Sequence, residues 1–224
     1  MKSCNYNNTL YMPVTNSKFI TFEGGEGAGK STQVKMLSQA FAKAGRKVMA
    51  TREPGGTDGA EAIRALLVNG AVNKWTAETE LLLHLAARCD HINQSIKPCL
   101  TSGIDVICDR FTDSTIAYQA YGHGLGAAFV EQMCNLVVGT FQPDLTIILD
   151  IAGESGIKRA ENRSTAETRY ERMGASFHGN VRSGFLEIAK KNPQRCVVIS
   201  AENDIESVYN QVITTIIGRL GITL

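Results

Sequence analysis

The stretch that decides the fold is Gly24-Gly25-Glu26-Gly27-Ala28-Gly29-Lys30-Ser31-Thr32. It fits the pattern G-x-x-x-x-G-K-[S/T] and lies between an apolar run and a helical pattern, as a phosphate-binding loop requires. In such a loop the backbone N–H groups turn inward, the helix N-terminus adds positive charge, and Lys30 reaches the β- and γ-phosphates. A chance glycine-rich turn is the alternative, and the register of strand, loop and helix argues against it. The stretch therefore predicts a nucleoside triphosphate site.

Short β-rich runs alternate with helical patterns along the rest of the chain. Strands are expected at 18–23, 47–51, 105–108, 145–151 and 195–200, and helices at 30–44, 60–68, 78–100, 127–138, 177–190 and 205–220. Because the strands are apolar almost throughout, they are typical of a parallel sheet covered on both faces. We expect an α/β P-loop NTPase fold of three layers, with a five-stranded parallel sheet, helices on both faces and a short mobile lid.

Length and charge restrict the remaining classes of protein. The chain has 224 residues, which suits one domain at 18–224 behind a flexible N-terminal tail at 1–17. Its 23 basic and 22 acidic residues give a net charge of +1, so no global field favours a nucleic acid polymer or a membrane as partner. The six cysteines form no C-x-x-C pair and are expected to be buried thiols. Without a secretory signal pattern, we expect a cytoplasmic protein.

A switch GTPase is disfavoured by two patterns. The base-reading motif N-K-x-D is missing, because the Asn-Lys pair continues as Asn73-Lys74-Trp75-Thr76. A D-x-x-G string does occur at 150–153, but it follows the fourth strand instead of the third. We therefore interpret it as a turn from a strand into a helix.

Charged residues follow the second and third strands where those strands end. Arg52 and Arg110 stand at equivalent carboxyl ends, where a guanidinium can hold the phosphate of an acceptor in line with ATP. A surface ion pair is the alternative for a single arginine of this kind. Asp109 closes the third strand and is expected to hold Mg²⁺ through water, with Ser31 as the second ligand.

Several further stretches, taken in order, resemble the thymidylate kinase family of P-loop nucleoside monophosphate kinases. They include Thr51-Arg52-Glu53-Pro54-Gly55-Gly56-Thr57, Asp109-Arg110-Phe111-Thr112-Asp113-Ser114, Ala86-Ala87-Arg88, Ala117-Tyr118-Gln119, Phe141-Gln142-Pro143-Asp144-Leu145 and Thr168-Arg169-Tyr170-Glu171. The resemblance extends from Lys18 to about Ser200. It implies direct in-line transfer from ATP to dTMP with Mg²⁺, giving ADP and the dTDP needed for dTTP synthesis.

The resemblance also implies a nucleoside site. It places Arg88 against the thymine O4, Thr115 near the base edge, Tyr118 under the deoxyribose and Glu26 on the sugar 3′-hydroxyl. Pro54, Ser114 and Gln119 are expected to support this dTMP pocket together with Arg52 and Arg110. A buried tyrosine that crowds C2′ would reject a ribose.

His84 departs from the family pattern, which usually has Phe or Tyr stacked on the thymine at this position. His84 lies one helical turn before Arg88 and shares its face. An imidazole that titrates near pH 6.5 should stack more weakly and in a pH-dependent manner. Exposure of His84 to solvent is the alternative.

The segment 158–173 is the expected lid, and it is rich in charge. Its basic residues are Lys158, Arg159, Arg163, Arg169 and Arg172. A solvated charged face is the ordinary explanation. However, one group of thymidylate kinases carries an arginine in the phosphate loop where this chain has Gly27, so the missing cation is expected from the lid. We expect Arg163 to act on the transferring phosphoryl beside Lys30, Arg110 and Glu26, and Arg159 and Arg169 either to steer ATP or to lock the lid.

Two alternatives remain at this point. One is a kinase for another nucleoside monophosphate or deoxynucleoside, and the other is a P-loop partitioning or regulatory ATPase. The resemblance further implies a homodimer formed through helices such as 78–100. An unusual backbone is expected at Glu53-Pro54, a cis peptide included, because the chain must reverse sharply to bring Arg52 inward.

Overall fold

The computed structural model describes residues 16–161 and 169–224. The strands are β1 (Phe19–Glu23), β2 (Val48–Arg52), β3 (Asp105–Asp109), β4 (Leu145–Asp150) and β5 (Cys196–Ser200). The helices are α1 (Lys30–Lys43), α2 (Asp58–Val68), α3 (Ala77–His91), α4 (Lys97–Thr101), α5 (Thr112–Thr115), α6 (Ala127–Val138), α7 (Gly153–Glu161), α8 (Ala175–Lys191) and α9 (Ile205–Leu220). Two π-helical segments, Ile92–Ile96 and Ile116–Gly122, follow α3 and α5.

The five strands form one parallel sheet in the order β2-β3-β1-β4-β5. β1 is wholly buried and lies between β3 and β4, so the direction in which the chain winds reverses at β1. In open α/β sheets a ligand crevice forms outside the carboxyl ends of the strands at such a point. The fold expected from the sequence is confirmed, with strand ends within one residue of those predicted.

Apolar side chains pack against both faces of the sheet. One cluster joins α1 and α9 to β1 and β4 through Leu37, Phe41, Val212 and Ile216. The other joins α3, α6 and α8 to β4 through Leu81, Val130, Phe185 and Ile148. These two layers hold the carboxyl ends of the strands in fixed positions, and the loops that follow the strands share one edge.

The helices differ from the predicted ones in three places. The helix expected at 78–100 is interrupted by the π-helical segment Ile92–Ile96, just before Pro98, whose nitrogen has no hydrogen to donate to a continuous helical ladder. α5 and the π-helical segment after it were not predicted, because α5 is a short run of four mostly polar residues. α7 was also missed, although its start at Gly153 confirms that 150–153 is a turn from a strand into a helix.

The start of β1 is held by a buried carboxylate on the neighbouring strand. Asp105 accepts a hydrogen bond from the backbone nitrogen of Lys18 at 2.7 Å and forms an ion pair with Arg46 at 2.7 Å through both carboxylate oxygens. The expected tail at 1–17 lies almost wholly outside the described residues. Of the five cysteines in the described ranges, all are free thiols, and Cys89 is exposed instead of buried. None of the described helices is both long and apolar enough to span a membrane.

Replacing Asp105 by Ala tests this anchor. The change leaves the Lys18 nitrogen without its acceptor and Arg46 without its partner, so we expect the free energy of unfolding to fall by about 2 kcal/mol. Urea unfolding measures the difference, and Glu187→Ala, at an exposed position on α8, is the control. Equal stability of the two variants would show that Asp105 does not anchor β1.

Candidate active site

The phosphate loop connects β1 to α1 and turns its lysine inward. Lys30 is buried, and its Nζ donates hydrogen bonds to the carbonyl oxygens of Gly24 and Gly25 at 3.1 and 2.7 Å. Burial, together with the charge of Arg110, lowers the pKa of Lys30 to about 8. A phosphate oxygen beside Nζ would favour the charged form, so the loop is suited to bind an anion.

Gly27 is a loop position that cannot carry a side chain. Its φ is 71°, and a Cβ built there would lie 1.9 Å from the carbonyl oxygen of Gly156 on α7. Both the backbone angle and this approach exclude an arginine at this position in the present conformation. The loop therefore has no space for an arginine side chain at Gly27.

Ser31 and Asp109 meet at the start of α1 and the end of β3. The hydroxyl of Ser31 donates a hydrogen bond to Asp109 Oδ2 at 2.6 Å. Hydroxyl and carboxylate oxygens are the ligands that Mg²⁺ prefers, and this ion usually takes only one or two from the protein. No cluster of three or more histidine, cysteine or carboxylate side chains that could hold a metal occurs in residues 16–161 and 169–224.

Arg110 lies directly after β3 with a left-handed backbone. Its φ is 70°, and its own nitrogen donates a hydrogen bond to the carbonyl of Phe22 on β1 at 2.8 Å. The guanidinium donates to the carbonyl oxygen of Gly24 at 2.9 Å, to Ser114 Oγ at 3.1 Å and to Glu26 Oε1 at 3.0 Å. Left-handed geometry at a non-glycine residue is strained and concentrates at functional sites.

Glu23, the last residue of β1, contacts residues that follow Arg110 in the chain. Its side chain is fully buried, Oε1 accepts a hydrogen bond from the backbone nitrogen of Phe111 at 2.8 Å, and Oε2 lies 2.5 Å from Ser114 Oγ. Burial raises the pKa of Glu23 to about 8, and the nearby Asp113 carboxylate adds to this effect. Burial therefore favours the neutral acid, and Glu23 holds the turn around Arg110 through its contacts with Phe111 and Ser114.

Glu26 faces Arg110 across the mouth of the loop. Tyr118 donates its hydroxyl hydrogen to Glu26 Oε2 at 2.5 Å and accepts a hydrogen bond from Arg110 Nη2 at 3.0 Å. Burial alone would raise the pKa of Glu26, but Arg110 and Lys30 outweigh it and the pKa is lowered. The carboxylate is therefore ionised beside two cations, in a position to accept a hydrogen bond from a sugar hydroxyl.

Arg52 and Arg88 occupy different surroundings. Arg52 is half exposed and forms an ion pair with Glu61 of α2 at 3.0 Å, which resembles the alternative of a surface ion pair, yet it also lines the cleft. Arg88 is buried and donates hydrogen bonds to Glu53 at 2.7 Å and to Thr115 at 2.9 Å. The Glu53-Pro54 peptide bond is cis, as expected.

His84 lines the same cleft but does not titrate as expected. Its Nε2 lies 2.9 Å from the hydroxyl of Tyr170, and the ring is half-buried. Burial lowers the pKa of His84 to about 4, and the charge of Arg88 acts in the same direction. The expected titration near pH 6.5 is therefore wrong, because partial burial and the nearby Arg88 disfavour the charged imidazole.

The lid arginines are only partly described. Arg163 lies outside the described residues. Arg159 donates hydrogen bonds to the carbonyl oxygens of Ala201 and Glu202, which follow β5. Arg169 is buried against α2, α3 and the connection between them, and it does not line the cleft. This geometry fits a role in holding the lid segment and does not fit a contact with ATP phosphates.

The remaining predicted residues converge on one cleft of about 300 Å³ at the carboxyl edge of the sheet. Its lining contains all ten residues predicted for dTMP: Glu26, Arg52, Pro54, His84, Arg88, Arg110, Ser114, Thr115, Tyr118 and Gln119. It also contains Gly27, Gly29, Lys30, Ser31 and Asp109. Of the other predicted loop residues, Gly24 and Gly25 contribute carbonyl oxygens, and Ala28 and Thr32 do not line the cleft.

Sequence reasoning missed five residues of this lining: Glu53, Arg64, Val68, Tyr170 and Glu171. Arg64 donates a hydrogen bond to the carbonyl of Pro54 at 2.7 Å and adds a further cation beside Arg52. Its spacing of four residues from the buried Ala60 and Val68, which puts it on the same face of α2, is a signal that could have indicated it. Glu23 was also missed, although a carboxylate at the end of an otherwise apolar strand is a recognisable departure from the apolar pattern.

The phosphate loop and the arginines around a nucleoside-sized cleft define a P-loop kinase that acts on a small phosphorylated acceptor. The sequence profile described as thymidylate kinase matches residues 22–212. The chain is 49% identical over 209 residues to the thymidylate kinase of Caulobacter vibrioides, with 93% of this chain and 100% of that protein covered. It is 44% identical to that of Afipia carboxidovorans, with 92% of each chain covered.

A solved structure agrees with these relatives. The crystal structure of thymidylate kinase from Ehrlichia chaffeensis matches with a TM-score of 0.72 and 39% identity, and it covers 89% of this chain and 98% of that chain. The chain belongs to the thymidylate kinase family. The predicted family and enzyme class are confirmed.

Replacing Glu23 by Gln removes its titration while keeping the side chain's shape. Because the pKa of Glu23 is raised from 4.5 to about 8, the folded chain keeps a proton that the unfolded chain releases, and stability falls as pH rises through that window. We expect the free energy of unfolding of Glu23→Gln, relative to the unaltered chain, to rise up to about pH 8 by at most about 1.4 kcal/mol per pH unit and then to level off.

Urea unfolding at a series of pH values measures this difference, with Glu187→Gln as the exposed control. A difference that does not change with pH would mean that Glu23 is ionised in the folded chain.

Proposed function

We propose that this chain transfers the γ-phosphoryl group of ATP directly to the phosphate of dTMP, giving ADP and dTDP. ATP would lie on the phosphate loop, and dTMP would occupy the cleft beside it with its phosphate towards Arg110. No covalent intermediate is needed, because donor and acceptor occupy adjoining parts of one cleft. Its membership of the thymidylate kinase family supports the donor and the acceptor.

The observation that carries the proposal is the position of Arg110. Its guanidinium lies within hydrogen-bond distance of the loop carbonyl of Gly24, of Glu26 and of Tyr118. The cation therefore stands between the donor loop and the nucleoside pocket, where it can hold the acceptor phosphate and meet charge that develops during transfer. Arg52 and Arg64 also line the cleft and add positive charge there.

Ser31, and Asp109 through water, would hold Mg²⁺ together with the ATP phosphates. The pair fits the ion, because both oxygens lie at the end of the loop and are 2.6 Å apart. When bound, Mg²⁺ neutralises phosphate charge and orients the β- and γ-oxygens. Among the described residues, Lys30 and Arg110 are the cationic side chains that would act beside the magnesium ion.

Arg163 remains our proposed lid cation, on sequence grounds. The close approach of Gly27 to Gly156 supports it indirectly, since the loop itself has no space for an arginine. The proposed cytoplasmic location is compatible with the free thiols in the described ranges.

A homodimer is the proposed assembly. α3 and α6 pack side by side and expose large apolar side chains, with Leu82 54%, Phe129 45% and Leu136 76% exposed. Apolar side chains grouped on neighbouring helices are typical of a protein interface. A second copy of the chain is the partner that the family resemblance implies.

An assay of ADP release with dTMP, dUMP, dCMP, UMP and thymidine tests the activity and the two alternatives. We expect release that depends on dTMP, and Arg110→Ala should lower kcat/KM for dTMP about 30-fold or more because an acceptor oxygen loses its partner. Arg219→Ala, on α9, is the control. ADP release without any acceptor would instead indicate a regulatory ATPase.

Light scattering after size exclusion tests the assembly. The unaltered chain should have twice the monomer mass, and Leu136→Glu should lower it, because a charge would be buried in the interface. Ile217→Glu, at an exposed position on α9, is the matched control. A dimer that survives Leu136→Glu would place the interface on another surface.

A further inference from the structure

Tyr170 lies in the nucleoside cleft although it comes from the end of the expected lid segment. Its ring packs edge-on against Tyr118 with 5.7 Å between centroids, and its hydroxyl lies 2.9 Å from His84 Nε2. Both Tyr170 and His84 line the cleft. The two side chains therefore form one hydrogen-bonded unit within the nucleoside part of the site.

Arg169, the residue before Tyr170, restricts the position of Tyr170. Arg169 is 1% exposed and donates hydrogen bonds to the carbonyl oxygens of Leu67, Ala71 and Val72 at 3.2, 3.1 and 2.9 Å. These carbonyls belong to the end of α2 and to the α2–α3 connection. A guanidinium that is held by three fixed acceptors leaves the adjoining backbone little freedom.

Arg169 also forms a buried ion pair with Glu80 of α3 at 2.5 Å. Glu80 stands four residues before His84, which is one turn of the same helix. Two consecutive residues, Arg169 and Tyr170, thus contact two positions one turn apart on α3. This spacing sets the register of the segment against the helix and brings the phenol to the imidazole.

The protonation state of the His84 imidazole determines what the His84–Tyr170 pair can contact. Burial keeps His84 neutral, with its pKa lowered to about 4, so one ring nitrogen donates and the other accepts. A hydrogen bond between Nε2 and the tyrosine hydroxyl selects a tautomer and fixes the plane of the ring. A neutral, oriented imidazole suits an uncharged pyrimidine better than a freely rotating one, because less freedom is lost on binding.

We propose that Tyr170 is a base-positioning residue, which holds the His84 ring through its hydroxyl so that the two side chains together form the wall of the pocket for the thymine. The proposal rests on the proposed function for the identity of the ligand. Arg169 and Glu80 act one step further away, as the anchor that places Tyr170. The pair contributes to dTMP binding and has no part in the transfer step.

The test combines Tyr170→Phe, His84→Phe and the double variant, with Tyr209→Phe on α9 as the matched control. Tyr170→Phe keeps the ring and removes only the hydroxyl, so we expect the KM and the calorimetric Kd for dTMP to rise about fivefold to tenfold. The kcat, the KM for ATP and the melting temperature should stay within the range of the control. In the His84→Phe background the same change should have less than a twofold effect, since the imidazole that the hydroxyl orients is then absent.

Three results would overturn the proposal. They are an unchanged dTMP Kd in Tyr170→Phe, an equal loss in both backgrounds, and a loss of kcat or melting temperature without a change in dTMP binding. Failure of the proposed function would be seen separately, because the unaltered chain would then release no ADP with dTMP. Calorimetry with dTMP would still decide the role of Tyr170.

Discussion

The left-handed turn at Arg110 is the constraint on which the site depends. A non-glycine residue in this region costs about 1 to 3 kcal/mol, so the surroundings must hold it. They do so on both sides, because the Arg110 nitrogen donates to the Phe22 carbonyl and the Phe111 nitrogen donates to Glu23. Since Phe22 and Glu23 are the last residues of β1, the strand that leads into the phosphate loop also fixes the acceptor arginine.

Charge balance follows from this arrangement. Lys30 is buried and Arg110 is half-buried beside it, which is unfavourable unless anions lie close by. Glu26 and Asp109 supply negative charge in the free protein, whereas Glu23 stays neutral because burial and Asp113 raise its pKa to about 8. A neutral Glu23 leaves the cations less compensated, and a phosphate dianion can then complete the balance.

Much of the fold and of the candidate active site could be predicted from local sequence patterns. The loop at 24–32, the apolar strands and the charged residues at their carboxyl ends determine that Lys30, Asp109 and Arg110 meet at one edge. Parallel strands place their ends together, so spacing along the chain was enough to group them. The family resemblance added the nucleoside residues, and all of them line the cleft.

What could not be predicted depends on contacts between distant segments. Glu23 acquires its role only because β1 and β3 pair in one register. The lowered pKa of His84 depends on its partial burial in the cleft, where it contacts Tyr170 from 86 residues away, and the sequence does not place that contact. Arg169 looks like a solvent-facing lid cation in the sequence, yet its acceptors are carbonyls about 100 positions away, separated by 97, 98 and 102 residues.

A crystal structure of the chain with dTMP bound tests the central claim most directly. The account predicts the phosphate of dTMP within hydrogen-bond distance of the Arg110 guanidinium, φ of Arg110 still positive, and the thymine ring beside His84. A dTMP phosphate bound elsewhere, with Arg110 still engaged only by Gly24, Glu26 and Tyr118, would contradict it.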